Sequence, residues 1–229
     1  MKTLKFFFLA AALAALSSCD ESSYEVHQTF FYPQIPGGMQ FYADQTSDTI
    51  HVYSLDSWTS AVTQEWMDVT PKSYTVQPMS QADTRLTITT TPNTTGAIRT
   101  GSVTVNAHDV VSMGVTQFPW LNIIVPDVTY YNSDPTDTDL TPQTQARFDL
   151  SLNAATRDTL VVFRVYQDGA TIASDASWLA PEQTTFSAGR DTVRLSITPN
   201  TATEARTAKL TLTSAGVSTV INVRQPALQ

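Results

Sequence analysis

Few of the side chains that usually carry enzymatic chemistry are grouped in this sequence. The histidines, His27, His51 and His108, are far apart in the chain, and their spacing is not that of a zinc site. There is no G-x-S-x-G, P-loop or G-x-G-x-x-G motif. Two carboxylates would suffice for a glycosidase, but the internal duplication described below argues against a single asymmetric active site. We therefore expect no enzyme activity, cofactor or metal, and a glycoside hydrolase stays as a third alternative.

Four aromatic residues are the candidates for ligand binding. Trp58 stands among polar residues, Trp120 lies near the middle of the chain, and Tyr130 and Tyr131 are adjacent. Adjacent residues on a strand point to opposite faces, so one of the two tyrosines would be exposed. Sugars present apolar C–H faces that stack on flat aromatic rings. The alternative for each residue is packing in a core or between domains.

An acidic segment follows the middle of the chain. Residues 127–145 include Asp127, Asp134, Asp137 and Asp139, and closely spaced carboxylates are ligands that Ca²⁺ prefers. The segment lacks the glycine and terminal glutamate of an EF-hand loop. Calcium binding and a solvated, proline-broken loop therefore both remain open.

The N-terminus predicts export and lipid attachment at Cys19. Two lysines precede an unbroken apolar run over residues 6–16, which is too short to span a bilayer but fits a secretory signal peptide. Small residues then lead directly to Cys19, the only cysteine of the chain, in a pattern that resembles a bacterial lipobox. The resemblance implies a diacylglycerol on the Cys19 thiol and cleavage before it. A membrane anchor that does not cross the bilayer is the expected result.

The predicted processing also suggests a location. Residues 1–18 would be the signal peptide and residues 19–28 a polar tether. Asp20 and Glu21 directly follow the cysteine, which resembles the surface-export signal of lipoproteins from the Bacteroidetes. We expect the protein on the outer membrane, on the cell surface, with the periplasmic face as the alternative.

The rest of the chain has the pattern of an all-β protein. Threonine, a β-branched residue that suits half-exposed strands, occurs 36 times in 229 residues. Many short segments alternate apolar and polar residues, as in Val103–Val105, Phe148–Leu152 and Val217–Val223. No sustained 3.6-residue stripe occurs after the signal peptide. Short strands with frequent turn residues predict antiparallel β-sandwiches.

The two halves of the mature chain repeat one pattern. The order tryptophan, proline, strand, asparagine, arginine, strand, glutamine occurs twice. The matched landmarks are Trp66, Asn93, Arg99 and Gln117 in one half and Trp178, Asn200, Arg206 and Gln225 in the other. The repeat predicts two sandwiches, over residues 29–118 and 119–229. Because the spacing is duplicated, we expect the arginines, asparagines and glutamines to support turns and sheet ends, and Trp66 and Trp178 to lie in the cores.

This pattern resembles the BACON domain, over most of residues 40–118 and 145–226. The resemblance implies an immunoglobulin-like β-sandwich of the kind found in surface and secreted proteins of the Bacteroidetes. It also implies a glycan- or mucin-binding role, although some members look like spacers. The second half departs from the pattern because it has no counterpart of Trp58.

Three functions follow as hypotheses. The first is a non-catalytic envelope lipoprotein that binds carbohydrate or mucin, or acts in adhesion, and the second is a structural spacer or a subunit that docks other envelope proteins. The hydrolase is the third. The net charge of −8 and the absence of a basic block argue against nucleic-acid binding. The membrane, through the lipid on Cys19, is the one partner that all three hypotheses share.

Overall fold

The described residues form strands and no helix. A computed structural model describes residues 26–77, 82–124 and 148–228. Several predicted features therefore lie outside the described residues. They are the signal peptide, Cys19, residues 20–25 of the tether, and the whole acidic segment with Tyr130 and Tyr131. The strands are β1 (Thr29–Tyr32), β2 (Met39–Phe41), β3 (Ser47–Ser54), β4 (Trp58–Val62), β5 (Met67–Thr70), β6 (Ser73–Tyr74), β7 (Ala82–Thr90), β8 (Arg99–Asn106), β9 (Val110–Gln117), β10 (Asn122–Ile124), β11 (Phe148–Ser151), β12 (Asp158–Val165), β13 (Ala170–Ser174), β14 (Leu179–Pro181), β15 (Thr185–Phe186), β16 (Gly189–Ile197), β17 (Arg206–Ser214) and β18 (Val217–Gln225).

The strands form two pairs of sheets with the same topology. The first half has sheets of order β1-β3-β7-β5 and β2-β9-β8-β4-β6. The second half has sheets of order β10-β12-β16-β14 and β11-β18-β17-β13-β15. Each strand of the second half stands nine places after its counterpart in the first, so the repeat in the sequence is a repeat of the fold. The fold class is the predicted one, all-β with two immunoglobulin-like sandwiches.

The sequence predicts antiparallel sheets, but each half contains one parallel pair of strands. Strand β2 runs parallel to β9, and its counterpart β11 runs parallel to β18. All other strand pairs are antiparallel. In each half the chain enters on one sheet, in β1 or β10, and then crosses to the edge of the other. Alternation of apolar and polar residues does not predict strand direction, since both arrangements have a period of two.

Each sandwich buries its own apolar core. Alternation is regular in β18, where every second residue from Val217 to Gln225 is buried. The first core is built around Phe41, Ile50, Leu86 and Ile88, and the second core includes Phe163. The described residues include no helix long and apolar enough to cross a membrane.

Candidate functional site

Trp58 lies in the first core and not on the surface. Strand β4 alternates buried and exposed residues, and Trp58 is on the buried face with 2% of its surface exposed. Its polar neighbours Ser57 and Thr59 face solvent. The expectation that polar neighbours indicate an exposed ring was therefore wrong for Trp58. The indole Nε1 has no hydrogen-bond partner among the described residues.

The exposed aromatic ring at this position belongs to Tyr74. Strand β6 pairs with β4, and Tyr74 lies opposite Trp58. The two rings stack with centroids 5.9 Å apart and planes 20° apart. Tyr74 is 40% exposed, so it presents aromatic surface to solvent while Trp58 supports it from the core. No pattern in the sequence marks Tyr74, because the pairing of β6 with β4 that places it against Trp58 is set by the tertiary structure.

The second sandwich arranges the same position differently. Ala170 on β13 pairs with Phe186 on β15, as Trp58 pairs with Tyr74. Phe186 is only 5% exposed and packs edge-on against Phe163, with ring centroids 4.8 Å apart. The small side chain of Ala170 leaves room for the edge-strand aromatic ring to turn inward. In the first sandwich the indole of Trp58 occupies the core, and the aromatic ring of the edge strand faces outward.

Trp120 lies at the junction of the two halves. It is half-buried against the second core, and it stacks on Phe118 with ring centroids 4.8 Å apart and planes 18° apart. Its backbone carbonyl accepts a hydrogen bond of 3.0 Å from the N–H of Ala43. Trp120 is therefore partly accessible, with one face occupied by Phe118.

Arg99 joins three elements of the first sandwich. Its guanidinium lies over the ring of Trp66, 4.4 Å from the centroid, and donates to Gln117 Oε1 through Nε at 2.8 Å and a terminal nitrogen at 2.5 Å. The terminal nitrogen also donates to the carbonyl of Thr91. Burial lowers the pKa of the Arg99 guanidinium from its ordinary value, although arginine stays charged in proteins. The predicted structural role of this residue is confirmed.

Arg206 repeats this arrangement in the second sandwich. Its guanidinium lies 4.3 Å from the centroid of the Trp178 ring and donates to Gln225 Oε1 at 2.9 and 2.6 Å. It also donates to the carbonyl of Thr198. Like Trp66, Trp178 is half-buried against its core and covered by arginine on one face. Both tryptophans are thus part of the structural framework, at the core margin and not at its centre.

The asparagines hold the turns that precede these arginines. The Asn93 amide donates to the carbonyls of Ala97, Gln117 and Phe118 at 2.8 to 3.2 Å. The Asn200 amide donates at 2.8 Å to the carbonyls of Glu204 and Pro226. Both side chains are buried, and buried amides need such partners. The duplicated polar residues therefore stabilise the fold and are not open to a ligand.

Two histidines that are distant in the sequence meet in the structure. His27 and His108 stack with ring centroids 3.7 Å apart and planes 9° apart, and His27 Nδ1 lies 2.9 Å from Asp56 Oδ1. His51 pairs separately with Asp83 on the surface, at 2.7 Å. Within the described part of the chain, no three histidine, cysteine, aspartate or glutamate residues are grouped to hold a metal ion.

A buried carboxylate connects the two halves. Asp44 follows β2, and its Oδ2 accepts hydrogen bonds from the backbone N–H of Tyr166 at 2.8 Å and from Ser214 Oγ at 2.7 Å. The Gln167 amide donates to the Asp44 carbonyl at 3.2 Å and to Thr46 Oγ1 at 2.9 Å. Because Asp44 is fully buried, these bonds fix one half against the other. This contact joins residues that are far apart in the chain, so no local sequence pattern predicts it.

The comparison with protein families identifies the chain. The model of the BACON family, described as "Putative binding domain, N-terminal", matches residues 56–118 and 168–226. The matches span just over half of the chain, so the chain belongs to the BACON family. One match lies in each structural half, which confirms the resemblance inferred from the two sets of landmarks. No curated protein sequence matches the chain.

Two solved structures with partial similarity to the chain are a xyloglucanase and a pair of S-layer domains. A Bacteroides ovatus GH5 xyloglucanase in complex with a XXXG heptasaccharide is 23% identical, with a TM-score of 0.30, over 35% of this chain and 17% of its own. Domains 5–6 of the S-layer protein SbsC are 13% identical, with a TM-score of 0.29, over 90% of this chain and 98% of their own. The chain thus spans about a sixth of the xyloglucanase.

Proposed function

We propose that the chain is a non-catalytic binding protein of the bacterial cell envelope, and that its first sandwich binds carbohydrate or mucin through Tyr74. In this proposal a lipid on Cys19 anchors the protein to the outer membrane on the cell surface. Membership of a family of binding domains supports the binding role. The signal peptide, the lipid and the location rest on the sequence pattern over residues 1–21.

One observation carries the choice of ligand. Tyr74 is the aromatic residue of the first sandwich that is both exposed and stacked on a buried tryptophan. A sugar ring needs a flat aromatic face that is open and held in place, because stacking gains little when the ring must first be ordered. Trp58 supplies that support. Trp120 remains a second candidate for the same chemistry, and it is less open because Phe118 covers part of it.

The absence of catalysis is part of the proposal. A groove of about 420 Å³ on the first sandwich is lined by apolar and uncharged polar residues and by no carboxylate. Glycosidases need a pair of carboxylates across the scissile bond. The groove is therefore better suited to binding than to hydrolysis.

The test is a binding screen with a matched control. The chain without its signal peptide and cysteine, residues 20–229, is applied to a glycan array and to immobilised mucin, together with variants Tyr74→Ala, Trp120→Ala and Tyr32→Ala. Tyr32 is another tyrosine of the same sandwich and is 63% exposed. We expect Tyr74→Ala to weaken binding by about tenfold or more, equivalent to ~1.4 kcal/mol, and Tyr32→Ala to leave it unchanged. Binding that survives Tyr74→Ala would refute this site, and no binding to any glycan or mucin would refute the ligand.

A second candidate function is favoured by the junction. A spacer or docking subunit must hold its domains at a constant angle, and the buried hydrogen bonds of Asp44 to Tyr166 and Ser214 are suited to that task. In this role other envelope proteins are the partners. A rigid junction in a chain that binds neither glycan nor mucin would favour this candidate.

A further inference from the structure

One edge of the first sandwich is only partly covered. Strand β9 pairs along its whole length with β8, from Val110 to Gln117. On its other side β2 pairs only with the last three residues, from Val115 onward. The stretch Val110–Gly114 therefore has no strand hydrogen-bonded to its outer side among the described residues. Backbone N–H and C=O groups on such an edge can pair with another extended chain.

This open stretch lacks the features that usually protect a strand edge. Its sequence is Val-Val-Ser-Met-Gly, with no charged residue and no proline, and Val110 is 66% exposed. Two other edge strands do carry such features. Strand β14 ends in Pro181, and β5 carries Asp68 in an ion pair with Lys72. Charges and proline on edge strands prevent unwanted pairing, so a stretch without them is free to pair with an added strand.

An apolar groove runs beside the open edge. It has a volume of about 420 Å³, and its lining includes Phe31, Ile35 and Met113. The groove and the open stretch both end at Gly114, which Gly38 covers, since a Cβ on Gly38 would lie 2.2 Å from the carbonyl oxygen of Gly114. An extended peptide paired with the edge would direct every second side chain into this groove.

The charges around the groove indicate what kind of peptide would fit. No lysine or arginine lines the groove or the adjoining groove of about 340 Å³, and Asp48 lines the second one. Asp109 is exposed and directly precedes the open stretch. The whole chain carries a net charge of −8, so a second copy would be repelled. A segment of another protein with a basic residue is favoured.

We propose that Val110–Gly114 is a docking site for an extended peptide segment of another protein, added to the sheet beside β2. Apolar side chains at alternate positions of the segment fill the groove, and a basic side chain near one end meets Asp48 or Asp109. This site lies on strands β1 and β9, away from Trp58 on β4 and Tyr74 on β6. Peptide docking at β9 can therefore be tested independently of glycan binding at Tyr74.

The test uses random dodecapeptides displayed on phage, selected against residues 20–229. The two edge variants are Ser112→Lys and Val110→Lys, which place charge on exposed positions of β9. The matched control is Thr59→Lys on β4 of the same sheet, where both sides of the strand are paired. All three side chains are exposed, so thermal unfolding is expected to stay near that of the parent chain.

We expect enriched peptides with alternating apolar residues. A synthetic peptide of the enriched sequence should bind the parent and Thr59→Lys chains equally, and should lose about tenfold or more in affinity with either edge variant. Amides within Val110–Gly114 should also exchange more slowly with solvent in the complex. The proposal is overturned if no peptide is enriched, or if the enriched peptides bind the edge variants as well as the parent. A dimer of the chain itself that Ser112→Lys dissociates would also overturn it, by making a second copy the occupant.

Discussion

Asp44 of the first sandwich accepts a hydrogen bond of 2.8 Å from the backbone N–H of Tyr166 in the second. The same carboxylate oxygen accepts from Ser214 Oγ, and the other oxygen has no partner among the described residues. A fully buried carboxylate is costly unless its bonds compensate for lost hydration. The Asp44 carboxylate therefore contributes strongly to holding the two sandwiches together.

Replacement of Asp44 should loosen the junction. Asp44→Ala leaves the Tyr166 N–H and the Ser214 hydroxyl buried without an acceptor, so we expect the free energy of unfolding to fall by about 3 kcal/mol. Small-angle scattering should then show a wider distribution of interdomain distances. The exposed Glu65→Ala change serves as the control and should alter neither quantity. An unchanged scattering profile for Asp44→Ala would show that other contacts fix the junction.

Arg99 and Arg206 should not tolerate lysine. Each guanidinium makes a forked contact with a glutamine and lies over a tryptophan ring, and an ammonium group cannot reproduce both contacts. We expect Arg99→Lys and Arg206→Lys each to lower stability by about 2 kcal/mol, measured from urea midpoints. Arg224→Lys, on an exposed position of β18, should leave the midpoint almost unchanged. A similar small effect for all three variants would contradict the framework role.

Substitutions at Trp58 and Tyr74 should differ in their effect on the stability of the chain. Trp58→Ala removes a fully buried indole and should cost about 3–5 kcal/mol. Tyr74→Ala removes a ring that is 40% exposed and stacks on Trp58, and should cost only about 1 kcal/mol. Chemical denaturation of both variants checks this difference. If Tyr74→Ala destabilised the chain as much as Trp58→Ala, a loss of glycan binding could not be assigned to a missing contact.

The lipid anchor has a direct test at Cys19. We expect Cys19→Ala to prevent acylation and cleavage, because the thiol is the acceptor of the lipid in the predicted lipobox. The variant should remain a larger precursor in the soluble or inner-membrane fraction and should not incorporate radiolabelled palmitate. The parent chain should be labelled and found with the outer membrane, and protease treatment of intact cells should report whether it faces outward. Labelling of the variant would exclude Cys19 as the acceptor.

The sequence by itself determined the fold class, the repeat and the family. Alternating residues define strands locally, and the landmarks around Asn93 and Arg99, and around Asn200 and Arg206, recur because each turn needs the same hydrogen bonds in both sandwiches. These features depend on neighbours in the chain or on a duplicated spacing, so they are readable without a structure. The predictions for Cys19, Tyr130 and Tyr131 also come from the sequence alone and remain predictions.

The tertiary structure decided which side chains meet. Polar neighbours suggested an exposed Trp58, but the pairing of β4 with β6 and β8 turns its side chain into the core and brings Tyr74 to the surface. The contact between Asp44 and Tyr166 joins residues more than a hundred positions apart. The open stretch of β9 exists because β2 is short. Each of these features depends on which strands pair and in which register. Long-range packing sets both, and the alternation of apolar and polar residues along a strand does not determine either.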